Sequence, residues 1–131
     1  MFNVEGTPRQ LVFRKRHRLS KASEFDAVYA HKIRKSRGPI TVHIRPNEHP
    51  HHRLGLSIGR RVGGAVARSR LKRMIREVFR LNQTELPMHN ATGYDLVVSA
   101  RRHEPMTLEQ YRSVIVDALQ DAHGVQVRRD G

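Results

Sequence analysis

Apolar and polar positions recur with two different periods along this chain, and the changes of period mark its elements. Residues 40–45 alternate strictly, with Ile40, Val42 and Ile44 on one side and Thr41, His43 and Arg45 on the other. Residues 53–59 repeat the pattern, setting Leu54, Leu56 and Ile58 against Gly55, Ser57 and Gly59. These predict two strands with one greasy face and one small or polar face. The stretch between them holds Pro46 and Pro50 and reads as a loop or hairpin turn. Tyr94–Ala100 is a short apolar run bounded by turn residues, which predicts a central strand. The basic stretch 32–37, closed by Gly38-Pro39, suits an edge strand.

Three stretches follow the 3.6-residue period. In the longest, residues 60–80, Ala67, Leu71, Met74, Ile75 and Val78 share one side of a helix. Ser69, Lys72, Arg73, Arg76 and Arg80 line another side, with Arg68 and Arg70 at the borders. Gly63-Gly64 marks the entry to this helix. A shorter helix is predicted over residues 20–31, with Ser20 or Ser23 as cap and Glu24 and Asp26 in its first turn. Phe25, Val28 and Tyr29 share one of its faces. Core packing is the simpler reading of these rings; a platform for stacked bases is the other. A last helix starts at a Thr107–Gln110 capping box and buries Tyr111, Val114, Ile115, Ala118, Leu119 and Ala122. Gly124 is expected to end it.

Charge changes the picture most. The chain of 131 residues carries a net charge of +13, and residues 60–80 hold eight of its 25 Lys and Arg with one acid, Glu77. A solvated helix face mixes signs at i, i+4; a one-sign row calls for a polyanion. Nucleic acid is the first expectation for the partner. The chain has no cysteine, which excludes disulfides and thiolate metal sites. No apolar run approaches the ~20 residues of a membrane span, and a cytoplasmic protein without a membrane partner is expected.

Catalytic chemistry is poorly provided for. His49, His51 and His52 sit in one loop, but without H-E-x-x-H the loop reads as polar and exposed, with no metal site. The acids form no cluster of the kind two-metal nucleases need. No G-x-S-x-G, P-loop or dinucleotide fingerprint occurs. The sequence suits binding RNA or DNA rather than cutting it, so no catalytic residue is assigned.

The segment SIGRRVGGAVARSRLKRMIREVFR (residues 57–80) resembles the signature of the bacterial ribonuclease P protein subunit. So do RLSKASEFDAVYAHK upstream, RLGLSIG, YDLVVSARR and TLEQYRSVIVDAL, in that order. The resemblance implies an α/β (α+β) sandwich in the order α-β-β-β-α-β-α, with a four-stranded sheet and a left-handed β-α-β crossover. It implies a protein that assists a catalytic RNA in removing the 5′ leader of precursor tRNA, with both RNAs as partners. Mg²⁺ would act through the RNA subunit, no cofactor or small molecule being bound by the protein itself. Arg60, Arg61, Arg68, Ser69, Arg70, Lys72, Arg73, Arg76 and Arg80 would contact the catalytic RNA. Arg16, Arg18, Phe25, Tyr29 and His43 would form the cleft for the leader. Ser69 and Gly64 stand where the family pattern has Asn. The RNA-binding domain is expected over residues 16–124, a basic flexible tail over 1–15 and a frayed end over 125–131. A structural RNA-binding protein, such as a ribosomal protein, is the alternative.

Overall fold

The computed structural model describes residues 2–4, 7–8 and 13–131. Its main elements are α1 (Ala22–His31), β1 (Ile33–Arg37), β2 (Ile40–Pro46), β3 (Arg53–Ser57), α2 (Ala65–Asn82), β4 (Tyr94–Ala100) and α3 (Leu108–Asp130). The expected order is the observed one. The sheet runs β1-β2-β4-β3. The β1–β2 and β2–β4 pairs are antiparallel, while β3 and β4 are parallel and connected through α2. Basic β1 is an edge strand and apolar β4 is internal, as their compositions predict.

Alternation in the strands sorts their residues onto two layers. Ile40, Val42, Ile44, Leu54, Leu96 and Val98 are buried against Leu71, Ile75, Val78 and Phe79 of α2 and Tyr111, Ile115, Ala118, Leu119 and Ala122 of α3. Val97, one residue out of phase, faces the opposite side and packs with Leu19 and Val28. Helix α1 therefore lies across the sheet face away from α2 and α3, and that face is only partly open. Lys32 follows α1 at φ 60°, in the left-handed region, which turns the chain directly into β1.

Four expectations need correction. Gly124 does not end α3: the helix runs on to Asp130, because Val125 packs against the core and Gln126 is 3% exposed. The stretch 125–130 is thus ordered helix rather than a frayed end. Residues 13–15 belong to the folded unit, not to a tail: Phe13 stands edge-on to Phe79 at 5.5 Å and lies under Arg18 at 4.7 Å. Ahead of it Phe2–Val4 pairs antiparallel with Thr7–Pro8; the rest of the expected tail up to residue 12 lies outside the described residues. Neither serine caps α1, since Glu24 Oε1 takes the Ser20 and Lys21 N–H groups at 3.0 and 2.9 Å. Ala67, placed on the apolar side by the wheel, is exposed in the first turn of α2. The Thr107–Gln110 capping box forms as read, Thr107 Oγ1 accepting from Gln110 N–H at 3.1 Å and Gln110 Oε1 from Thr107 N–H at 2.8 Å. Among the described residues, no helix is long and apolar enough to cross a membrane.

Candidate nucleic-acid interface

Pairing register puts Arg34, His43, Val97 and Gly55 in one row across all four strands. Helix α1 lies along this row and meets it residue by residue. The i, i+3, i+4 spacing of Phe25, Val28 and Tyr29 sets the three contacts. The Phe25 ring rests on Gly55, where a Cβ would lie 2.6 Å from Phe25 Cζ. Only glycine leaves room for it. Val28 packs on Val97 in the small apolar cluster. Tyr29, 40% exposed, meets His43 edge to face at 5.0 Å.

Two hollows flank the helix. The first, about 250 Å³, is lined by Phe13, Arg18, Phe25 and Leu54 together with Lys72 and Arg76 from α2. The second, about 320 Å³, is lined by Tyr29, Lys32, Arg34 and His43. Neither lining contains an acid. Burial, and then the charge of Arg18, pushes the Arg76 guanidinium below its ordinary pKa. Burial, and then Arg34, does the same to His43. Cations facing one another without a counter-ion are stabilised by a bound anion, and each hollow sets its cations beside a half-buried or exposed ring.

The position of α1 is fixed by an ion-pair chain. Arg53 donates to Asp95 through Nε at 2.8 Å and Nη2 at 2.7 Å, and to Glu24 Oε2 through Nη1 at 3.1 Å. Asn47 Nδ2 donates to Asp95 Oδ1 at 2.9 Å. Backbone N–H groups of Lys21 and Ser20, with Arg53 behind them, hold the Glu24 carboxyl below the usual carboxylate range. The start of α1 is thereby tied to the base of β3 and β4.

The cationic stripe on α2 divides. Lys72 and Arg76 face the first hollow, whereas Ser69 and Arg73 point to solvent. Arg60 and Arg61 are exposed on a short turn ahead of the helix. Arg68 Nε is buried without a hydrogen-bond partner among the described residues, and Arg70 Nη2 reaches Met106 O at 3.4 Å. Arg80 pairs with Glu77 at 2.6 Å, so its charge is partly offset. Arg16 is exposed on the turn Lys15–His17, outside both linings. The structure thus gathers Arg18, Phe25, Lys72 and Arg76 in one place and Tyr29 and His43 in the other. Sequence reading missed Phe13, Lys32, Arg34 and the glycine floor. Alternation in β1, which puts Arg34 on the side of His43, could have found Arg34.

The histidine loop is not uniformly exposed as expected. His52 is 2% exposed, stacks on Tyr94 at 6.0 Å and accepts the Tyr94 N–H at 2.9 Å. Burial pushes its pKa down to about 4, so the imidazole is neutral.

The Ribonuclease P family model matches residues 13–123. The chain is 42% identical over 109 residues to a ribonuclease P protein component from Chromobacterium violaceum, covering 82% of this chain and 84% of that one. It is 35% identical over 105 residues to the Bacillus cereus (strain B4264) protein of the same name, covering 79% and 88%. The solved ribonuclease P protein from Thermotoga maritima superposes with a TM-score of 0.69 at 28% identity, covering 79% of this chain and 96% of that one. The chain belongs to the ribonuclease P protein family.

Proposed function

We propose that this chain is the protein component of a ribonuclease P and assists a catalytic RNA in removing the 5′ leader of precursor tRNA. The observation that carries the reading is the first hollow, where Arg18, Lys72 and Arg76 converge on Phe25 with no acid in the lining. A single-stranded leader offers unpaired bases for the rings and phosphates for the cations. Stacking is tolerant of base identity, as a protein serving many precursor tRNAs requires. Tyr29 and His43 extend the tract along the helix. The exposed cations Arg60, Arg61 and Arg73, with Arg68 at their border, are the surface for the catalytic RNA, through its phosphates. Arg70 is turned towards Met106 and Arg80 towards Glu77, so they contribute less.

The residues of the chain bind and orient; none of them takes a proton from water. Mg²⁺ would be held by the RNA subunit rather than by this chain, and there it would supply the chemistry of an activated water and a stabilised leaving oxygen. Phosphate neutralisation by the protein lowers the metal concentration the RNA needs. The reaction is cytoplasmic on this account. A structural RNA-binding role alone leaves the converging cleft without a task.

Purified protein is expected to leave precursor tRNA intact, and catalytic RNA alone to cleave it at high Mg²⁺. Leader removal by RNA-free protein would overturn this division of labour.

A further inference from the structure

Beside the cleft, five rings stand in file from the β2–β3 loop to α2. His49 stacks on His51 with centroids 5.4 Å apart and planes at 26°. His51 meets His17 edge-on at 5.1 Å, and His17 stacks on Phe13 at 6.3 Å. Phe13 in turn stands against Phe79 at 5.5 Å. His49 is exposed, His51 and Phe13 are half-buried, and His17 between them and Phe79 at the inner end are buried.

The outer rings are held by the backbone around them. His49 N–H donates to Asn47 Oδ1 at 2.9 Å, and Asn47 Nδ2 donates to His51 O at 3.2 Å. His51 Nδ1 lies 3.1 Å from His52 O; a carbonyl only accepts, so Nδ1 carries the hydrogen. His17 Nδ1 accepts the Arg14 N–H at 2.9 Å. A loop that only aided solubility would not need its imidazoles stacked and pinned. A pre-ordered ring presents its face to a ligand with little further loss of freedom. Arg14, Lys15 and Arg16 are exposed on the adjoining turn, and Glu48 is the acid next to His49 in the chain.

We propose that the His49–His51 pair is a second stacking step for single-stranded RNA. It takes an unpaired base of the 5′ leader farther from the cleavage site than the base at Phe25, with Arg14 and Arg16 on its phosphates. This rests on the leader reading of the cleft. The leader is favoured over the catalytic RNA because Phe13 belongs both to the file and to the lining of the Phe25 hollow. A strand leaving that hollow past Phe13 crosses the buried His17 and comes next to His51 and His49.

The test uses the holoenzyme reconstituted with catalytic RNA and precursor tRNAs whose leaders are shortened one nucleotide at a time. His49→Ala should weaken binding of long leaders about tenfold, the effect of one lost stacked base, and spare leaders that fill only the cleft. His49→Phe should restore affinity and His49→Lys should not, because stacking rather than charge is lost. No loss at any length overturns the proposal. So does an equal loss at every length, which would put the loop on the catalytic RNA or in the fold; melting curves separate these. Rescue by lysine as good as by phenylalanine overturns it too. Phe25→Ala runs in parallel: a leader-dependent loss there alone sinks the second step, and none at either position sinks the leader reading itself.

Discussion

Replacing Gly55 by alanine presses on the floor of the cleft. The new Cβ would lie 2.6 Å from Phe25 Cζ, 2.9 Å from Phe25 Cε2 and 3.1 Å from Leu19 Cβ. Carbon atoms in contact rest about 3.5–4.0 Å apart, so the Phe25 ring has to retreat by about 1 Å. Leu19 yields little, since its N–H is bonded to Leu54 O at 2.9 Å. Overpacking of this kind costs about 1–3 kcal/mol. Phe25→Ala removes a half-buried ring, so its cost falls to about 1–2 kcal/mol, below the range for a core phenylalanine. In the double variant the alanine at 55 fills part of the space left by the ring. Its destabilisation should fall short of the sum of the two singles by about 1 kcal/mol. Urea midpoints of the three variants measure the stability side. Binding of leader-bearing precursor and of mature tRNA by the reconstituted holoenzyme measures the functional side. Gly55→Ala should weaken the precursor several-fold and leave the mature tRNA unchanged. Additive destabilisation would refute the contact between ring and glycine. Equal loss for both tRNAs would refute the leader cleft.

Binding of the catalytic RNA should fall steeply with salt: with about five phosphates neutralised, log K against log salt has a slope near −4. A flat response would remove the electrostatic argument. Charge reversal at Arg73 should weaken that binding more than reversal at Arg128, which filter binding can compare; equal losses would mean that total charge matters and geometry does not. Asp95→Ala leaves Arg53, whose side chain is 18% exposed, without its main partner. It should destabilise by about 3–5 kcal/mol in urea titration; near-neutral stability would show the pair to be dispensable. His52 is neutral in the fold down to about pH 4, while the unfolded chain protonates it near its ordinary value of 6.5. The unfolded state therefore binds the extra proton across that window, and stability should drop by about 3 kcal/mol as pH falls through it. His52→Gln should flatten that part of the profile; an unchanged slope would assign it to other groups. Glu24 has the same sign, in a more acidic window. Its depressed value means its contribution is present above the ordinary carboxylate range and is lost as pH falls through the folded value, which Glu24→Gln should abolish.

Features with a short repeat could be read from the chain. The alternation of residues 40–45 and 53–59 placed β2 and β3, and Leu71, Ile75 and Val78 gave the buried side of α2. The Thr107–Gln110 box marked the start of α3. Features decided by distant partners could not be read. Gly124 is a stop signal by propensity, worth about 1 kcal/mol against alanine; the packing of Val125 and burial of Gln126 outweigh it. Phe13 follows residues with weak periodicity, and only Phe79, far along the chain, gives it a place. His52 resembles its neighbours in composition, yet the Tyr94 backbone draws it inside. In the cleft, the cations and Phe25 stood out by charge and spacing. The Arg53–Asp95 anchor and the register that sets Gly55 under Phe25 arise only when the strands pair.

The most direct test of the account is reconstitution with a bacterial ribonuclease P RNA, assayed on precursor tRNA at low Mg²⁺ with leaders of different length. The account predicts that adding this protein restores cleavage at the mature 5′ end, and that the gain grows with the leader until the cleft is filled. Restoration of equal size for precursors with and without a leader nucleotide at the cleft, or no restoration at all, would contradict it.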